Sequence, residues 1–137
     1  MIYYVTGTPV NVTLGRVYEA VDFACNALGL TVETLEVVFS PLPTGACGYA
    51  DYEEEESHAE IEVSRDLSEN ETIRTIFHEL VHVCQYDRGW LQVGYPQLWN
   101  GKPVNDIYSH REHEQEAYSL ELFLYEDFTN VRRQVFL

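Results

Sequence analysis

The chain has 137 residues, 45% of them hydrophobic, with 8 Lys or Arg against 23 Asp or Glu and a formal charge of −15. That length suits a single domain, 1–137, with a core large enough to fold without staples. Phosphate backbones and anionic lipid headgroups are held mainly through Lys and Arg, so neither a nucleic acid nor a membrane surface is expected as partner.

In chain order, the opening MIYYVTGTPV has no basic stretch and is broken by Gly7 and Pro9. It reads as a short strand at residues 2–5 rather than as a signal peptide, and a cytoplasmic, intracellular protein is expected. No apolar run approaches the length of a membrane span. Cys25, Cys47 and Cys84 are odd in number and lack a CxxC spacing, which points to neither a disulfide framework nor a cysteine metal site and suits a reducing compartment. Leu14, Val17, Tyr18, Val21, Ala24, Cys25 and Leu28 recur at helical spacing, with Thr13 or Asn11 placed to cap the helix and Gly29 to end it. Residues 31–40 are rich in β-branched and apolar side chains and stop at Pro41 and Pro43, as a strand does. A weaker strand over 46–52 leads to four successive carboxylates, Glu53 to Glu56, read as a solvated turn. Residues 58–64 alternate, with Ala59, Ile61 and Val63 on one side and His58, Glu60 and Glu62 on the other. This predicts a half-buried strand hairpinned with 46–52, His58 facing solvent.

Ser68 and Glu71 form a capping box, and Ile73, Ile76, Phe77, Leu80, Val81 and Cys84 carry a helical stripe to Asp87 before Gly89. Inside that helix lies HELVH, an HExxH pattern. Residues four apart stand one turn above another, so His78 and His82 can turn ring nitrogens to one metal ion, while Glu79 can reach a water on it as general base. The segment 90–109 is irregular, with Asn100-Gly101 as a hairpin turn and Trp90, Tyr95 and Trp99 either filling the core or walling a groove. From Arg111 the helical pattern returns through Phe128. Its stripe of Ala117, Leu120, Leu124 and Phe128 extends backward to Glu114, a carboxylate that needs a partner if buried. The tail 129–137 either extends that helix or packs loosely.

A catalytic zinc site takes three protein ligands and keeps one position for water. His78 and His82 supply two. The third is sought among His110, Glu112, His113, Glu114 and Glu116, and the helix face favours Glu114 over Glu116, with the histidines behind both. A capped helix with HELVH, a loop containing WNGK and a second helix opening on HEQEAY together resemble the gluzincin metallopeptidases, especially the minimal ones of bacteriophage genomes. The resemblance spans roughly 58–125. It implies a zincin-like fold, Zn²⁺ held by His78, His82 and Glu114, and hydrolysis of peptide bonds in a peptide or protein substrate, with Glu79 as catalytic base. It also implies an edge strand, matched to 58–64, along which substrate lies extended. Tyr118 stands where many gluzincins carry the aspartate that orients the first histidine, and it is given no role.

The fold expected is α+β, a small, mostly antiparallel sheet of three to five strands packed by the N-terminal helix, the HExxH helix and the C-terminal helix. The leading function is a zinc peptidase. The alternative is a zinc-containing regulatory or interaction module without protease activity, and a third reading has no metal at all. The acidity favours a basic or unfolded peptide as partner through complementary charge.

Overall fold

The computed structural model describes residues 1–43, 45–94 and 96–136. A strand, a helix and a second strand open the chain: β1 (Ile2–Thr6), α1 (Leu14–Leu28) and β2 (Thr34–Ser40). The Thr13 hydroxyl caps α1 by accepting the Arg16 N–H at 3.2 Å. The helix stops where Gly29 takes φ 62°, a left-handed conformation that costs other L-residues about 1 kcal/mol. β2 starts at Thr34 rather than at 31 because the Thr31 N–H and hydroxyl both donate to the Asp87 carboxylate, at 3.0 and 2.6 Å.

β3 (Gly48–Glu53) and β4 (His58–Ser64) form the expected hairpin, Gly48 opposite Val63 and Glu53 opposite His58. The sheet they join has the order β1-β2-β4-β3. β1 with β2 and β2 with β4 are parallel, and β3 with β4 is antiparallel. The sheet is therefore mixed, which corrects the expectation of a mostly antiparallel one. The cause is connectivity: α1 returns the chain across one face, so β1 and β2 run the same way, as a helical crossover allows and a tight turn does not. The alternation over 58–64 holds, with Ala59, Ile61 and Val63 fully buried, but its expected place at the edge is corrected: β4 lies in the interior, between β2 and β3. The strand beside it, β3, is the one at the edge.

α2 (Glu69–Asp87) follows β4 directly. Its cap is the predicted one, Ser68 accepting the Glu71 N–H at 3.2 Å while its hydroxyl donates to the Glu71 carboxylate at 2.8 Å. A short antiparallel sheet of β5 (Leu91–Gln92), β6 (Leu98–Trp99) and β7 (Lys102–Pro103) comes next. Asn100 and Gly101 make the β6–β7 turn with φ 51° and 81°, the double positive φ of a tight hairpin. After a 3₁₀ turn at Tyr108–His110, α3 runs from Glu112 to Phe136, so of the two alternatives for the tail it is extension of the helix that holds. Among the described residues the molecule is thus α+β, with three α-helices, one mixed sheet and one small antiparallel sheet.

The core lies between the inner face of the mixed sheet and α1 and α2, with α3 packed on α2. Leu35, Val37, Ile61, Ile73, Ile76, Phe77 and Leu80 are all but fully buried. Phe77 meets Phe23 and Phe128 with ring centroids 6.1 and 5.6 Å away, which ties the three helices together. Trp90 is exposed beneath the Arg88 guanidinium, and Trp99 is half-buried and donates to Glu112 at 3.0 Å. Tyr95 and Leu137 lie outside the described residues. All three cysteines are free; Cys25 is buried, which pushes its thiol up to about 12. No helix among the described residues is long and apolar enough to cross a membrane.

Candidate metal centre

Thirteen residues of α2, including His78, Glu79 and His82, are buried. That burial follows from position, since α2 is covered by the sheet, α1 and α3 at once. On α3, beside the buried His113, the side packed on α2 buries Glu114, Ala117, Glu121, Leu124 and Phe128. They recur at intervals of three and four, one stripe of a helix. The two stripes meet at the histidines.

One Glu114 oxygen, Oε1, lies 3.0 Å from His78 Nε2 and 2.9 Å from His82 Nε2. The three donor atoms fall within 4.8 Å of one another. The other ring nitrogens are engaged from behind. His78 Nδ1–H donates to Glu121 Oε1 at 3.0 Å, and Glu121 Oε2 accepts from Arg74 Nε at 2.8 Å. His82 Nδ1–H donates to the Gln85 side-chain oxygen at 2.7 Å, and Gln85 Nε2 donates to Glu116 and to the His113 carbonyl, each at 3.0 Å. With both Nδ1 atoms donating, a neutral ring offers only a lone pair at Nε2. Two such lone pairs then face a carboxylate oxygen. Three acceptors this close require protons or a cation among them, and a set of two imidazoles and one carboxylate is the chemistry of a divalent metal site.

The electrostatics agree. Burial works against a charged His78, yet the hydrogen bonds of Glu114 and Glu121 outweigh it and raise the ring to about 9. Burial alone would raise Glu114, but the bonds from both histidines hold it well below the usual carboxylate range. Glu79 has no such bonds, and burial pushes it up to about 6 against the opposing pull of His82 and His78. His113, also buried, is lowered by desolvation; its Nε2 stays 3.8 Å from Glu114 and its Nδ1 has no partner among the described residues.

The predicted residues therefore separate. His78, His82 and Glu114 converge. Glu112 bonds Trp99, Glu116 bonds Gln85, His110 is exposed, and His58, half-buried, pairs with Thr34 of the adjoining β2 at 2.7 Å. Tyr118 does not supply the orienting carboxylate; its ring tilts against His78 at 4.5 Å between centroids. Glu121 does, and sequence reasoning missed it together with Gln85. The signal was present: Glu121 stands two turns beyond Glu114 on the same stripe, and Gln85 one turn beyond His82.

Two cavities adjoin the centre. One, of about 450 Å³, is lined by Gly45 to Tyr49, Thr75 and Tyr118; the other, of about 210 Å³, by Ala50, Tyr86, Arg111 and Glu114. Gly48, Tyr49, His78, Glu79 and Tyr108 line both. A scan against protein-family models, a search of curated proteins and a search of solved structures each found no match.

Proposed function

We propose that the chain is a zinc-dependent peptidase of the gluzincin type, on a zincin-like arrangement of sheet, metal helix and third-ligand helix. The observation that carries this reading is the facing of His78 Nε2, His82 Nε2 and Glu114 Oε1, with buried Glu79 beside them and open space on either side. Zinc held by those three residues supplies a polarised carbonyl and a water acidified toward about neutrality. Glu79, buried beside the three ligands, would take the proton of the attacking water and pass it to the departing nitrogen. Tyr108 is half exposed and borders both cavities; desolvation and its hydrogen bond to the Glu114 carboxylate raise its hydroxyl, which stays protonated and, turned from Glu114, would donate to the carbonyl oxygen as charge grows there.

β3 supports a peptide as substrate. The Ser64 N–H bonds the Cys47 carbonyl at 2.8 Å, so the odd-numbered residues of β3 pair with β4. The backbone groups of Gly48, Ala50 and Tyr52 then lie along the edge away from β4, the Tyr52 N–H donating to the Asp51 carboxylate at 3.2 Å, and an extended chain can add there as a further strand. The alternative, a zinc-containing module without activity, requires a closed shell of four protein ligands. Three donors converge among the described residues, and the flanking cavities favour an open position.

The test is zinc content of the purified protein and of His82→Ala and Glu114→Ala, followed by cleavage of a denatured protein pool by wild type and Glu79→Gln. Zinc is expected at one per chain and lost in both ligand variants, while Glu79→Gln keeps zinc and loses cleavage. Undiminished zinc in both variants overturns the site, and retained cleavage by Glu79→Gln overturns the base.

A further inference from the structure

A third cavity, of about 660 Å³, continues the groove beyond the metal centre. It shares Tyr86 and Leu91 with the smaller of the two cavities at the site and reaches Tyr52, Glu54 and Asp87 at the far end of β3. Its floor is a flat aromatic pair: the Tyr52 and Tyr86 rings are stacked, centroids 5.8 Å apart and planes within 4°. Its rim is acidic. Glu54 is exposed there and opens the turn of the β3–β4 hairpin, where Glu53 to Glu56 form an unbroken carboxylate run. Arg88 also lines the cavity, with its guanidinium engaged, donating to the Leu28 carbonyl at 3.1 Å and lying over Trp90 at 5.3 Å.

Resting on the reading of β3 as the peptide-docking edge, we propose that this cavity is a subsite for a basic side chain of the substrate. Side chains on a strand return to the same face every second residue. A peptide residue opposite Ala50 turns its side chain toward the metal centre, and the residue opposite Tyr52 turns toward the tyrosine stack. An added strand pairs more favourably antiparallel, so moving from Ala50 to Tyr52 on β3 moves toward the N-terminus of the peptide. The subsite thus takes Lys or Arg two residues N-terminal to the one opposite Ala50. Aromatic faces attract such a cation, and the acidic run adds long-range attraction that neutral or acidic side chains do not feel. Glu54, from a run that reads as a solvated turn in the sequence, thereby stands at the mouth of the groove.

The probe is a set of end-blocked, unstructured peptides that differ by one Arg or one Glu moved along an otherwise neutral background. Cleavage by the zinc-loaded wild type maps the favoured position. Fluorescence anisotropy with zinc-loaded Glu79→Gln measures binding without turnover. Arg on the N-terminal side is expected to be preferred over Glu about tenfold in both measurements. Glu54→Arg, an exposed change, should abolish the preference, and Glu126→Arg, an equal charge change on the exposed side of α3, should leave it intact. No preference, a preference on the C-terminal side, or an equal effect of Glu126→Arg overturns the subsite. Should wild type cleave nothing while Glu79→Gln still binds Arg peptides in a Glu54-dependent way, the subsite stands and the peptidase reading falls.

Discussion

Burial raises the Glu79 carboxyl to about 6, so at neutral pH the metal-free fold holds an ionised carboxylate against its own preference. A carboxyl whose folded-state pKa lies above the ordinary value of about 4.3 lends stability below that value and loses it as pH rises through the folded one. The shift corresponds to about 2 kcal/mol. Glu79→Gln removes that penalty, and metal-free Glu79→Gln is expected to melt above metal-free wild type at neutral pH, with the difference closing near pH 4; thermal denaturation at the two pH values checks it. Glu121 acts through His78. Replacing the carboxylate behind a metal-binding histidine costs about 10- to 100-fold in metal affinity, so Glu121→Ala should weaken zinc binding by that factor in competition with a chromophoric chelator. Tyr118→Phe, which keeps the ring against His78, should leave it unchanged.

Among the elements, the approach of β3 to α2 is the tightest joint near the site. A Cβ built on Gly48 would stand 2.8 Å from both the Glu62 carbonyl oxygen and Thr75 Cγ2, and 3.2 Å from Glu79 Cγ. Backbone and a β-branched side chain yield little, so Gly48→Ala forces the edge strand off the helix that carries Glu79. Overpacking of this kind costs about 1–3 kcal/mol, measurable by urea denaturation, and cleavage should fall further than zinc content because β3 and Glu79 move while the ligands on α2 and α3 stay. The helices themselves were readable. Thr13, Gly29 and Ser68 stand where caps are needed, and the α2 and α3 stripes announce their buried faces. The place of β4 was not, because alternation reports which face is buried and is silent on which strands lie to either side.

For the whole molecule, the candidate metal centre links folding to pH. Hydrogen bonds to Glu114 and Glu121 hold His78 at about 9 despite burial, so in the metal-free protein its charge lends stability that is fully present below about 6.5 and is lost as pH rises through the folded value. Metal must displace that proton. Zinc binding at neutral pH is therefore expected to release close to one proton from His78, seen by calorimetry in buffers of different ionisation enthalpy, with the release fading above pH 9. Zinc at about a hundredfold over its dissociation constant should add about 2.7 kcal/mol of stability, and a chelator should lower the melting temperature to the metal-free value.

Local pattern determined a good deal: the helix around HELVH, its cap, the strand before it, the Asn100-Gly101 turn and Glu114 on the buried stripe of the last helix. These follow from periods and turn chemistry that act within a few residues. Tertiary structure decided what depends on distant segments meeting. It made the sheet mixed, put β3 rather than β4 at the edge, and set Glu121 behind His78. A strand's neighbours and a histidine's hydrogen-bond partner are set by packing across the core, where residues far apart in the chain compete for one place.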